Sequence, residues 1–104
     1  MIFASARTQE DEAGYARAAA AMDALAARQP GYRGMESARD ADGFGITVSY
    51  WADEAAAIAW RDQTDHAATR ARRRERWYRR YSVTVATVTR GYDWVRDKPP
   101  PTSS

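Results

Sequence analysis

His66 is the single histidine of this 104-residue chain and stands six residues after Trp60. An imidazole ordinarily changes charge near neutral pH, so this one could take a proton from a phenolic group. That step leaves an electron-rich carbanion able to pass an electron to O₂. The competing reading is a solvated or structural histidine. Aromatic residues are available to wall a pocket for such a substrate. Trp77 and Tyr81 either anchor a helix to a sheet or floor a cavity for a planar ligand, and Trp51 ends the same strand that carries Phe44 and Tyr50. Other chemistries lack their residues. The chain has no cysteine, so a thiol nucleophile, thiolate metal sites and disulfides are excluded. One histidine without a tight carboxylate cluster leaves too few donors for a metal centre, and no glycine-rich phosphate loop is present.

The elements that must position these groups are organised around Gly43 to Arg61, GFGITVSYWADEAAAIAWR. Phe44, Ile46, Val48 and Tyr50 alternate with Gly45, Thr47, Ser49 and Trp51, the period of a strand with one face against a core. Ala52 breaks the alternation, and Asp53 is suited to cap the helix that follows. Before this unit, Ile2 to Arg7 reads as a first strand. A helix follows from about Gln9 to about Arg28, with Tyr15, Ala18 or Ala19, Met22 and Leu25 as its apolar stripe. Gln29-Pro30-Gly31 stops it. Tyr32 to Arg39 reads as a second strand, with Gly34 marking a bulge or a close backbone contact, and Asp40-Ala41-Asp42-Gly43 joins it to the central strand as a hairpin. After the central strand, helical composition continues past a kink or new cap near Asp62 to Asp65 and on to about Arg80. A last strand is expected from Tyr81 to about Tyr92, rich in Val, Thr and Tyr.

The resulting order, βαββαβ, predicts a ferredoxin-like α+β sandwich, an antiparallel sheet with both helices on one face. The other face then lacks cover. At 104 residues, with 44% hydrophobic and 12% aromatic content, the chain is small enough for association to complete its burial. A homodimer packing sheet against sheet, a dimeric α/β barrel, is therefore expected. Residues 1–94 form the predicted domain and residues 95–104, with three consecutive prolines, a flexible tail. No run approaches a membrane span, and the lack of cysteine fits a reducing compartment, so the cytoplasm is the expected location and no membrane partner is foreseen.

The run QPGYRGMESARDADGFGITVSYWADEAAAIAW, followed by RRERWYRRYSVTVATV, resembles the antibiotic-biosynthesis-monooxygenase-like (ABM) domains, dimeric α/β-barrel proteins. The resemblance covers roughly Ile2 to Trp94 and rests on Pro-Gly, strand, Trp and basic-helix patterns. It implies an oxygenase of small planar aromatics, phenols, quinols or polyketides, that needs no cofactor. It also implies that Trp60 borders a pocket between sheet and helices, where the competing reading is plain core; His66 is the second catalytic candidate, Phe44, Tyr50, Trp77 and Tyr81 are candidates for the substrate wall, and Trp51 belongs to pocket or interface. The haem-degrading branch of this family uses an Asn near the first strand and an axial His about ten residues after the helix Trp. This chain has no Asn, and Arg70 stands ten residues beyond Trp60. A guanidinium stays protonated and does not ligate iron, so that route is disfavoured, although His66 keeps haem binding open.

Two other classes compete. The fold can serve as a non-catalytic binding or structural dimer, since no residue demands catalysis. Alternatively Arg70, Arg72, Arg73, Arg74, Arg76, Arg79 and Arg80 can neutralise phosphates while Trp77 or Tyr78 stacks on bases. Against nucleic acid stand the net charge of only +2 and the scatter of these arginines around a helix. A solvated face is the plainer account of them.

Overall fold

The computed structural model of the chain describes residues 1–65 and 76–96. Strand β1 (Ile2–Arg7), helix α1 (Glu12–Ala27), strands β2 (Tyr32–Arg39) and β3 (Phe44–Trp51), helix α2 (Glu54–Asp65) and strand β4 (Tyr78–Thr84) follow one another as expected, βαββαβ. The sheet is antiparallel throughout, in the order β2-β3-β1-β4. Each helix thus carries the chain past one intervening strand. Both helices meet the same sheet face: Tyr15 of α1 packs edge-on against Tyr78 of β4, and Trp60 of α2 stacks on Trp51 of β3. This is the ferredoxin-like α+β arrangement.

Local chemistry sets the ends of these elements. Asp11 caps α1 from a left-handed conformation (φ 51°, ψ 51°), accepting from the Gly14 N–H at 3.2 Å. A Cβ on Gly14 would overlap the Asp11 carboxylate, so the cap requires glycine there. Asp53 caps α2 in the predicted way, accepting from the Ala56 N–H at 2.8 Å. Asp40 closes the β2–β3 hairpin by accepting from the backbone N–H groups of Asp42 at 2.9 Å and Phe44 at 3.0 Å, with Gly43 at φ +94°. The register shift between Tyr32 and Gly34 is the bulge anticipated at Gly34.

Gly31 is constrained twice. Its φ is +84°, and a Cβ there would lie 2.8 Å from the Ala56 Cβ of α2. Its carbonyl also accepts from the Ala52 N–H at 2.7 Å, tying the end of α1 to the start of α2. Gly31→Ala is expected to lower unfolding free energy by about 1–2 kcal/mol, the cost of a left-handed L-residue. Urea denaturation measures it, and an unchanged midpoint would show that the loop relaxes freely.

Two boundaries differ from the sequence reading. Helical composition was expected to reach Arg80, but β4 begins at Tyr78. The last strand was expected to reach Tyr92, but it ends at Thr84, which lies opposite Ile2 at the end of β1. A strand pairs only as far as its neighbour extends, and β1 has six residues. Residues 85–96 therefore leave the sheet without regular structure, and Val88, Tyr92, Trp94 and Val95 are 71–93% exposed.

The orientation of β3 is the principal finding about packing. Its larger side chains, Phe44, Ile46 and Tyr50, face away from the helices and are 38%, 41% and 40% exposed. The helix-facing positions carry Gly45, Thr47, Ser49 and Trp51, and β1 adds Ser5, fully buried. From Phe44 to Tyr50, β3 thus turns small residues inward and larger apolar ones outward, while Trp51 and, on β1, Phe3 face the helices.

Candidate functional site

The small inward residues of β3 leave the helices little to pack against at the centre of the sheet. Among the described residues the buried apolar side chains are Ala26, Ala57, Trp60 and Trp77, too few for a filled core. What lies between sheet and helices is a cavity of about 360 Å³, within the size range of small-molecule sites. The α1 stripe of Tyr15, Met22 and Leu25 faces it rather than a packed layer, and Phe3, Thr47 and Ser49 form its sheet side.

Of the residues singled out in the sequence, three line this space: Trp60, Trp77 and Tyr81. Trp60 is 5% exposed and stacks on Trp51 at 5.8 Å between ring centroids. Trp77 is also buried, its ring edge-on to Tyr15 at 5.9 Å and its indole N–H donating to Asp11 Oδ2 at 3.3 Å. That bond is the main reason the Asp11 carboxyl titrates below its usual range. Tyr81 stands at the rim, 41% exposed and 5.4 Å from the Phe3 ring. Trp51 sits behind Trp60 as a buttress, its indole N–H donating to Ser49 Oγ at 2.9 Å.

Phe44 and Tyr50, expected on the substrate, lie on the opposite face of the sheet because they share the outward parity of β3. Phe44 has the Arg80 guanidinium 5.5 Å from its ring centroid. Tyr50 donates to Glu36 Oε1 at 2.8 Å, and this carboxylate raises the phenol above its usual pKa. His66 lies outside the described residues, as do Arg70, Arg72, Arg73 and Arg74.

The structure adds a polar cluster at one end of the cavity. Tyr15 and Tyr78 line the wall, their rings 5.9 Å apart and steeply inclined. Burial, then the charge of the neighbouring Tyr15 and a hydrogen bond to it, pushes the Tyr78 phenol far above its ordinary pKa. Arg7 lies flat on Tyr15, its guanidinium carbon 3.5 Å from the ring centroid. Only 8% of Arg7 is exposed, and its buried Nε has no hydrogen-bond partner. From the sheet edge Arg39 donates to Ser5 Oγ at 3.0 Å and to the Tyr15 hydroxyl at 3.1 Å. Its guanidinium rests where a Cβ on Gly45 would come within 2.6 Å, so glycine makes the seat. Parity was the available signal for these groups: Arg7 shares the face of Phe3 and Ser5, and an arginine at an inward strand position is unusual.

Among the described residues no three His, Cys, Asp or Glu side chains come together as metal ligands, and no helix is long and apolar enough to cross a membrane. Comparison with known proteins agrees with the architecture. Residues 2–72 match the antibiotic biosynthesis monooxygenase family. The uncharacterized protein YqjZ of Bacillus subtilis (strain 168) is 48% identical over 90 residues, covering 86% of this chain and 78% of that protein. The crystal structure of PA3566 from Pseudomonas aeruginosa superposes with a TM-score of 0.61 at 17% identity, over 78% of this chain and 83% of that one, a likeness of fold. On the family match and the identity to YqjZ, the chain belongs to the antibiotic biosynthesis monooxygenase family.

Proposed function

We propose that this protein is a cofactor-independent monooxygenase that binds a small planar aromatic, a phenol, quinol or polyketide-like molecule, in the cavity between sheet and helices and oxygenates it with O₂. The observation that carries the reading is the cavity itself: aromatic and apolar walls stand where a small domain ordinarily places its packed core. Trp60 and Trp77 offer flat surfaces to a ring system, and Tyr15 and Tyr78 offer hydroxyls. In the reaction a base removes a proton from the activated carbon, and the carbanion gives an electron to O₂. Recombination forms a C–O bond. A second proton loss from that carbon then breaks the O–O bond, so that one oxygen atom stays as a carbonyl and the other leaves as water. The substrate supplies all four electrons. His66 is the candidate base on sequence grounds.

The working unit in this reading is a cytoplasmic homodimer. Ile2, Phe44, Ile46 and Tyr50 form an apolar face on one side of the sheet, 36–41% exposed in the single chain, which a second copy would cover. The exposed segment 85–96 adds apolar surface to the same requirement.

Oxygen uptake with a quinol and with anthrone tests the activity. Uptake in the native protein and loss of about a hundredfold or more in His66→Ala is the expected result, the usual scale of general-base removal. Uptake no greater than that of the variant would leave the second reading, a binding dimer without chemistry.

A further inference from the structure

The open face of the sheet, away from the helices, carries a carboxylate and a guanidinium whose placement is particular. Glu36 of β2 accepts from the Tyr50 hydroxyl at 2.8 Å, and Arg80 of β4 has its guanidinium 5.5 Å from the Phe44 ring centroid. Both residues are exposed, and among the described residues neither forms an ion pair. Register fixes the distance between them. Glu36 lies level with Val48, Ile2 and Thr84 on successive strands, three steps of about 4.8 Å and so about 14 Å across the sheet. Thr84 and Arg80 are four residues apart along β4, again about 14 Å at about 3.4 Å per residue. The two charges therefore occupy opposite corners of a square whose centre falls between Ile46 and Ala4.

When two copies of one face meet, the twofold axis decides what each corner touches. An axis along the strands brings Arg80 to the corner of Asp40, whose carboxylate is committed to the Asp42 and Phe44 N–H groups, and leaves Glu36 opposite Thr84. An axis across the strands brings Glu36 to Asp40, carboxylate against carboxylate. An axis through Glu36 and Arg80 sets each charge on its own like. The other diagonal alone exchanges the two charged corners, and the strands of the two sheets then cross near a right angle, one of the geometries in which sheets pack. We propose that the open face is self-complementary in this way: its occupant is a second copy with strands crossed, and each Glu36 pairs with Arg80 of the partner subunit on either side of an apolar centre at Ile46. A guanidinium beside a ring keeps its N–H edge free for a carboxylate, so Arg80 need not leave Phe44 to make the pair. Like charges disfavour the competing orientations, which is how charge fixes register at an interface. The inference rests on the sheet-to-sheet homodimer of the proposed function and specifies how its two copies lie.

Charge reversal tests the pairing, read by light scattering across a dilution series. Both positions are exposed, so the reversals should leave the far-ultraviolet circular dichroism unchanged. Glu36→Arg sets guanidinium against guanidinium at both corners, and Arg80→Glu sets carboxylate against carboxylate. Each should raise the dissociation constant of the homodimer about tenfold or more. In a heterodimer of the two variants both pairs are restored with their signs exchanged, so an equimolar mixture should return to within about threefold of the native constant. Three results overturn the pairing and leave the dimer standing: a native dimer that both variants match, a mixture no tighter than the variants alone, or an effect confined to one variant, as contact of Arg80 with Asp40 would give. A native protein that is monomeric throughout the series removes the dimer as well.

Discussion

Replacing Ile46 with glutamate is expected to halve the mass of the protein in solution. Ile46 lies near the middle of β3, with small Ala4 of β1 and Ala38 of β2 on either side of it on the open face. At 41% exposure in the single chain, a glutamate there reaches water without disturbing the fold. In the proposed dimer the same carboxylate would be taken out of water against the partner sheet, and the cation on that face, Arg80, rests over the Phe44 ring instead. An uncompensated buried charge costs several kcal/mol, and about 4 kcal/mol weakens an association roughly a thousandfold. Light scattering across a dilution series reads the change. The native chain should hold the dimer mass to low micromolar concentration, and the variant should run as a monomer with its far-ultraviolet circular dichroism retained. Equal masses for the two proteins would place the interface elsewhere and leave the open face without its proposed cover.

The second large effect is on the cavity wall. Trp60→Ala is expected to lower unfolding free energy by about 3–5 kcal/mol, the usual cost of truncating a buried aromatic. Trp60 is 5% exposed and stacked on Trp51, which is itself edge-on to Tyr32 at 5.7 Å. These three rings tie α2 to the β2–β3 half of the sheet. Because the layer between sheet and helices is otherwise thinly filled, few other contacts can compensate, and a domain of this size holds only about 5–15 kcal/mol in total. Urea denaturation of Trp60→Ala beside Trp60→Phe separates the ring's contribution from the indole's. A loss below about 1 kcal/mol in the alanine variant would show that the wall collapses freely around the gap.

The sequence made the element order legible because each signal was local. Alternation in Phe44 to Trp51, the Asp53 cap and the Asp40 to Gly43 turn each act within a few residues, and all three stand as read. The direction of that alternation was not legible. Period two says that a strand has two unlike faces, but which of them meets the helices is decided by β1 and β2 alongside it. Phe44 and Tyr50 were placed on the substrate through that ambiguity, and they face the other way. The end of β4 failed for a related reason. Val85, Val88 and Tyr92 have strand propensity, but a strand also needs a neighbour, and β1 runs out at Ile2. Trp60, Trp77 and Tyr81 reached the cavity because large rings beside a thin core have few other places to go. The Arg7, Arg39, Tyr15 and Tyr78 cluster was hidden since its members are spread over four elements and meet only through the sheet register, Arg7 opposite Tyr78 and Arg39 opposite Gly45.

What distinguishes this account most sharply from that of an ordinary small sandwich is the claim that its middle layer is room for a guest. A crystal structure of the protein grown with 4-nitrophenol tests it directly. The account expects the ring of the probe between the α1 stripe and the sheet, against Trp60 or Trp77. A middle layer closed by its own side chains, with the probe only on the outer surface, would contradict it.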